Sequence, residues 1–270
     1  MGAQAKVIPD QDQYVEIRPG LFRCTTILTF GFVALPIATF LIKGNPIPGE
    51  PEAHEWLMVD AGAPPHTENI LKNVKEVLKH PKDTLKYICI THAHLDHTGA
   101  SIALLDQYPG CKVVAHPEEK PFLCDGKSFK SCVGDTWVFT IMKHLSAPSK
   151  IRIPEDKMLL LREGEEWEYS HVVKVIETHG HTPGSISFIH VSSRCIMIGD
   201  ASKNHMFISK EPHLTYPLAP GTCHMGNAIK SLDKIISLKE QVDTILPAHD
   251  YNPEGITIAE LQELRTSDPR

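Results

Sequence analysis

The stretch Thr91-His92-Ala93-His94-Leu95-Asp96-His97 packs four potential metal ligands into six residues. In extended backbone alternate side chains share a face, so His92 and His94 can bind one cation together. Asp96 and His97 sit on the turn that follows and can point to a second, adjacent cation. Imidazole and carboxylate are ligands that zinc uses, and a site that leaves positions open to water is of the catalytic kind. A lone histidine would read as a surface or core residue; three histidines and an aspartate at this density do not. Further candidates close apolar runs elsewhere: Asp60 after residues 55–59, His179 and His181 after 172–176, Asp200 after 195–199, and His249 after 242–248. A carboxylate such as that of Asp200 can bridge two cations with its two oxygens.

His92-Ala93-His94-Leu95-Asp96-His97 resembles the HxHxDH signature of the metallo-β-lactamase superfamily, whose members share an αβ/βα four-layer sandwich of the α/β class. The other segments are similar to the remaining motifs of that family and stand in the expected order from Asp60 to His249. Asp60 matches an Asp that supports the metal-binding loop from behind rather than ligating. In the family the ligand is the His immediately before Thr-Pro-Gly, which selects His181 in Gly180-His181-Thr182-Pro183-Gly184-Ser185 and leaves His179 to loop packing. Asp200 matches the bridging Asp, and Pro247-Ala248-His249 the last ligand motif. By this resemblance one zinc takes His92, His94 and His181, the other takes Asp96, His97 and His249, and Asp200 spans both. The implied cofactor is two Zn2+, with iron or manganese as alternatives.

These ligands need strands that bring them together. Residues 15–21 and 28–42 alternate or run apolar around Pro19-Gly20, as in a β-meander. The Pro- and Gly-rich segment 44–51 predicts a hairpin tip at the surface. Residues 67–79 place Ile70, Leu71, Val74, Val77 and Leu78 on one stripe, an amphipathic helix ending before Pro81. A strand to His92, a helix over 101–108 and a strand over 113–115 then alternate as α/β layers do. From 117 to 150 the pattern weakens, and the segment reads as an insert of short helices and loops, a candidate cap over the site. Strands resume at 158–161 and 172–176. A helix over 227–239 buries Ile229, Leu232, Ile235 and Ile236, and a final helix covers 256–265. The expectation is a single domain over 1–270 with the insert at 117–150.

Composition narrows the function. With 27 basic against 33 acidic residues and a net charge of −6, the chain has no general basic surface for nucleic acid. Its seven cysteines are odd in number, scattered and without a CxxC pair, which suggests reduced thiols in an intracellular setting and leaves a Cys124–Cys132 pair open. Residues 1–13 lack the layout of a signal peptide, and Lys6 stands where a myristoylation signal needs Ser or Thr. The longest apolar stretch, 27–42, is too short for a membrane span and holds Gly31 and Pro36. The expected protein is a cytoplasmic monomer or homodimer acting on a small-molecule substrate, with neither nucleic acid nor membrane as partner.

The resemblance also implies a reaction. Two zinc ions about 3.5–4 Å apart hold hydroxide as a nucleophile at neutral pH and polarise the substrate carbonyl. Asp96 is then the catalytic proton carrier to the leaving group. There is no G-x-S-x-G elbow for a serine mechanism. True β-lactamases of the superfamily carry Cys or Ser where this chain has Asp200, which argues against antibiotic hydrolysis. The order Asp-Ala-Ser, a short apolar-aromatic loop, one helix and a last strand to His resembles the lactonases of quorum quenching, which open acyl-homoserine lactones. Those enzymes carry a Tyr shortly after the bridging Asp. Lys203 and His205 stand there in this chain, and Tyr216 is the candidate substitute. His205, Phe207 and Tyr216 are therefore the candidate substrate-binding residues. A glyoxalase-II-like thioesterase and a mononuclear iron persulfide dioxygenase are the alternatives. The short tail after His249 argues against the first, and intact Asp96, His97 and His249 argue against the second. The implied function is a dinuclear zinc-dependent hydrolase of a lactone or related ester.

Overall fold

Long runs of β-branched and aromatic residues, broken by Pro19-Gly20 and Pro48-Gly49, make the N-terminal part of the chain a sheet. The computed structural model describes residues 8–30, 33–127, 151–206, 209–217 and 221–269. Strands β1 (Val15–Arg18), β2 (Leu21–Phe30), β3 (Val33–Ile47) and β4 (Glu50–Val59) pair as an antiparallel meander. Gly20 and Gly49 take φ of 75° and 80° at two of its turns, a conformation that a side chain would strain. The expected loop over 44–51 is largely strand: β3 continues to Ile47, with register shifts on either side of Pro46, and only Pro48-Gly49 turns. Bulges of this kind let a strand carry Pro and Gly without ending.

From β4 onward the sheet becomes parallel. Helix α1 (Thr67–Val77) leads to β5 (Thr84–Cys89), short α2 (Leu95–Thr98) and α3 (Ser101–Gln107) lead to β6 (Lys112–Ala115), and α4 (Lys120–Leu123) precedes β7 (Met158–Leu160). The seven strands lie in chain order, β1 to β7. A second sheet takes β8 (Val173–Glu177), β9 (Ile186–His190) and β10 (Cys195–Gly199). A separate ribbon of β11 (Lys203–Met206) and β12 (Ser209–Thr215) follows. Helix α5 (Met225–Ser237), β13 (Thr244–Pro247), β14 (Ile256–Thr257) and α6 (Ile258–Ser267) complete the chain, and the second sheet runs β14-β13-β10-β9-β8.

Three apolar clusters separate four layers. Leu21, Phe40, Leu57, Cys89 and Val114 of the first sheet meet Val173, Phe188, Met197 and Leu246 of the second. On the outer face of the first sheet, Met58, Leu85 and Ile88 pack against Ile70, Val74 and Leu104 of α1 and α3. On the outer face of the second, Ile189, Ile196 and Ile245 pack against Leu232, Ile235 and Leu261 of α5 and α6. The result is the αβ/βα sandwich.

Three further expectations are corrected. The loop expected after Asp200 is the β11–β12 ribbon; Lys203, Asn204 and His205 are consecutive, polar and all buried, so no hydropathic alternation announces a strand. Residues 256–257 are strand, and α6 begins only at Ile258, where Thr257 and Glu260 form a reciprocal capping box. Of the cysteines, Cys24, Cys89, Cys111, Cys124 and Cys195 are free thiols and Cys223 is disulfide-bonded, so the thiols are not all reduced. Residues 128–150 of the expected insert lie outside the described residues. Among the described residues no helix is long and apolar enough to cross a membrane.

Candidate metal centre

Strands β5, β8, β10 and β13 each end in a segment that carries candidate ligands. His92, His94, Asp96 and His97 follow β5, His181 follows β8, Asp200 follows β10, and His249 follows β13. Their ligand atoms gather in two groups, His92 with His94, His181 and Asp200, and Asp96 with His97 and His249. Atoms within each group lie within 4.8 Å of one another. His94 Nδ1 stands 2.9 Å from His92 Nε2 and 3.0 Å from His181 Nε2. Asp200 joins the groups: Oδ2 lies 3.3 Å from His181 Nε2 and 3.2 Å from His249 Nε2, and Oδ1 lies 3.2 Å from His97 Nε2.

The outer nitrogens are committed elsewhere, which aims the inner ones. His249 Nδ1 lies 2.7 Å from the Pro36 carbonyl, an acceptor only, so Nδ1 donates. His97 Nδ1 lies 2.7 Å from Asp60 Oδ2, while Asp60 also accepts from the Thr91 amide at 2.8 Å and the Thr91 hydroxyl. Asp60 thus stands behind His97, with φ of 56°, a conformation that Asp adopts more readily than most residues. His181 Nδ1 meets the Thr222 hydroxyl at 3.2 Å. Carboxylate or carbonyl support of this kind fixes the tautomer of a ligating imidazole.

Two observations show that these groups suit a cation. Tetrahedral zinc with bonds of about 2.0–2.1 Å sets its nitrogen ligands roughly 3.3 Å apart, close to the spacings here. Buried His97 Nε2 and Asp200 Oδ1 also face one another at 3.2 Å, two ligand atoms turned toward one point as those of a common ion are. Electrostatics agree. Burial pushes His92 well below the ordinary imidazole value, lowers His94 and takes His181 down to about 3, which keeps all three neutral. Burial also opposes charge on His97 and His249, but Asp60 first and then Asp200 and Asp96 lift His97 well above the ordinary value, and Asp200 and Asp96 lift His249. Asp200, which burial alone would raise, is held well below the usual carboxylate range by His249 and His97. A cation in the second group would take the place of the protons that these carboxylates draw onto His97 and His249.

The expected substrate-binding residues are not gathered here in the same way. Tyr216 is buried among Leu232, Ile235 and Leu261, and its hydroxyl donates to the Asp268 carbonyl while accepting from Arg265 at 2.9 Å. Its hydroxyl is thus engaged by the end of α6. His205 is 1% exposed and packs edge-on against Tyr251, with ring centroids 5.0 Å apart. Phe207 lies outside the described residues. Sequence reasoning missed Glu119, a buried carboxylate that bonds to both ligand loops. It also left His179 as loop packing; its Nε2 lies 3.3 Å from Glu177, whose other oxygen is 3.2 Å from His116 Nε2. His116 Nδ1 accepts the Glu118 amide hydrogen, so in the neutral ring Nε2 carries the proton. That Nε2–H can donate to Glu177, and the Arg162 guanidinium, itself only a donor, stands 3.2 Å from the same nitrogen and puts fixed positive charge where a third cation would sit.

The model of the metallo-beta-lactamase superfamily matches residues 50–249, a span that holds all seven ligand candidates. The uncharacterized protein YobT of Bacillus subtilis is 28% identical over 208 residues, 76% of this chain and 79% of that protein. The probable metallo-hydrolase MJ0888 of Methanocaldococcus jannaschii is 28% identical over 193 residues, 72% and 82% of the two chains. A hydroxyacylglutathione hydrolase of Rhizobium etli is 27% identical over 116 residues, covering 43% of this chain and 33% of that enzyme. Among solved structures, a beta-lactamase domain protein from Burkholderia ambifaria superposes with a TM-score of 0.65 at 19% identity, over 97% of this chain and 78% of its own.

Proposed function

The chain belongs to the metallo-β-lactamase superfamily, and from that premise we propose that its His/Asp centre is a two-zinc site that hydrolyses a lactone or related ester. The observation that carries this reading is Asp200, one carboxylate within 3.3 Å of an imidazole from each ligand group. In the proposal His92, His94 and His181 hold one ion, Asp96, His97 and His249 the other, and Asp200 serves both. Divalent ions so placed supply a nucleophile from water at neutral pH and polarise the carbonyl under attack. Asp60 keeps His97 oriented. Asp96, whose side chain is 24% exposed and lies 3.5 Å from His249, carries the proton toward the leaving oxygen.

A thioester is the second reading, favoured by the partial similarity to hydroxyacylglutathione hydrolase. Metal analysis of the purified protein, run beside a hydrolysis panel of lactones, thioesters and a β-lactam, separates them. Two zinc equivalents with lactone turnover support the proposal. Thioester turnover alone moves the substrate class, and a single iron with oxygen uptake discards hydrolysis.

A further inference from the structure

Glu119 sits in a short 3-10 turn, Pro117–Glu119, just after β6, and is 0% exposed. A buried carboxylate is costly unless its oxygens are hydrogen-bonded. Here they are bonded to two separate loops. Oε2 accepts from the Ala93 amide at 2.8 Å, between His92 and His94. Oε1 accepts from the Thr182 hydroxyl at 2.7 Å and the Gly184 amide at 2.8 Å, just after His181. The approach is close enough that a Cβ on Gly184 would stand 2.9 Å from Glu119 Cγ and Oε1. Glu119 touches none of the candidate ligands' rings in these bonds; it grips the backbone that carries them.

We propose that Glu119 is a positioning residue that ties the His92/His94 loop to the His181 loop, so that the three imidazoles converge before a cation arrives. The inference rests on the assignment of those imidazoles as metal ligands. It has a sharp chemical consequence. In Glu119→Gln the shape is kept, but one oxygen becomes an amide NH2. That NH2 must face either the Ala93 N–H or the Gly184 N–H, and neither can accept, so one loop is released.

The test uses the full chain, stripped of metal by chelation, with Glu118→Gln as a control at the exposed neighbouring position. Amide hydrogen exchange in segments 91–97 and 180–185 is measured without metal, and zinc affinity is then titrated against a competing chelator. For Glu119→Gln the expected results are at least about tenfold faster exchange in one or both segments and an about 10- to 100-fold weaker affinity for one of two zinc equivalents. The second equivalent and the thermal midpoint of the metal-free protein stay close to wild type. Unchanged exchange and affinity in a folded variant overturn the proposal. So does an equal loss at both equivalents with a collapsed midpoint, which is what general unfolding produces. If Glu119→Gln does not fold, Thr182→Val removes one of the three bonds and must still weaken the same equivalent by about threefold or more. A wild-type protein that binds no zinc defeats the ligand assignment; the exchange measurement on the metal-free protein then still decides whether Glu119 couples the loops.

Discussion

At the scale of single residues, the most informative contact is the one between Asp60 and His97. The carboxylate receives the Thr91 amide and hydroxyl on one side and His97 Nδ1 on the other. Asp60→Asn keeps the shape and tolerates the φ of 56°. Its amide oxygen can keep the Thr91 N–H, which leaves NH2 facing the His97 N–H, so the ring loses its orienting acceptor. Zinc affinity of the Asp96/His97/His249 group is expected to fall about 10- to 100-fold, read by competition titration, with the fold kept by circular dichroism. An affinity equal to wild type would remove Asp60 from any account of the centre. The seven ligand candidates were legible in the sequence because they follow strands, four of them crowded into 92–97 and the others beside local punctuation such as Thr182-Pro183-Gly184 or Pro247-Ala248. Glu119 was not legible for a physical reason. Its partners lie 26, 63 and 65 residues away, and two of the three are backbone amides, which leave no mark on residue identity. The partners of the Tyr216 hydroxyl were hidden for a related reason. A Tyr near the right place in the chain says nothing about which way its hydroxyl points, and here α6 holds it through Arg265 and Asp268.

At the scale of elements, strand ends were readable and connections were not. Helix α1 and strands β5, β8 and β10 follow from periodicity, whereas the β11–β12 ribbon is hidden by three buried polar residues in a row. The loop that carries His181 shows how elements set geometry. Gly180 takes φ of 137°, and a Cβ there would lie 2.1 Å from the Ala228 nitrogen of α5. The start of α5 also donates from the His224 amide to the Gly180 carbonyl at 2.9 Å, so the helix end and the ligand loop form one unit. The β9–β10 turn permits a pH prediction away from the ligands. His190 is buried between Ser192 and Ser193, and burial lowers its pKa from 6.5 to about 4. In that interval the unfolded chain binds the proton and the folded chain does not. Its effect on stability is therefore absent above about pH 6.5, grows as pH falls, and is complete below about pH 4, a loss of about 3 kcal/mol. Urea unfolding of the metal-free protein at several pH values, wild type against His190→Gln, isolates this group. The variant's advantage should widen steadily from pH 6.5 to pH 4; parallel curves would show that His190 stays solvated.

At the scale of the whole molecule, the centre lies where two independent sheets contribute to one group of atoms. His92, His94, Asp96 and His97 belong to the first sheet's side, and His181, Asp200 and His249 to the second's. The apolar seam from Leu21 to Leu246 also joins the layers, through burial that involves no ion. Bound ions would nonetheless act as a clasp, because the unfolded chain cannot present donors from strands more than a hundred residues apart in one place. By linkage, a ligand at about 1,000 times its dissociation constant stabilises the native state by about 4 kcal/mol per site. For a chain of this size that is roughly 10 °C in thermal midpoint. Dialysis against a chelator empties both sites and should lower the midpoint by about twice that, roughly 20 °C. Re-adding zinc should restore it, while magnesium, which prefers an octahedral shell of oxygens, should not. The same titration carried out on Asp200→Asn should recover only part of the shift, since the carboxylate that reaches both groups has lost one of its two anionic oxygens. A midpoint that ignores the chelator, in protein shown by elemental analysis to have lost its metal, would mean that the two halves meet without an ion between them and that the convergence of seven side chains serves packing alone.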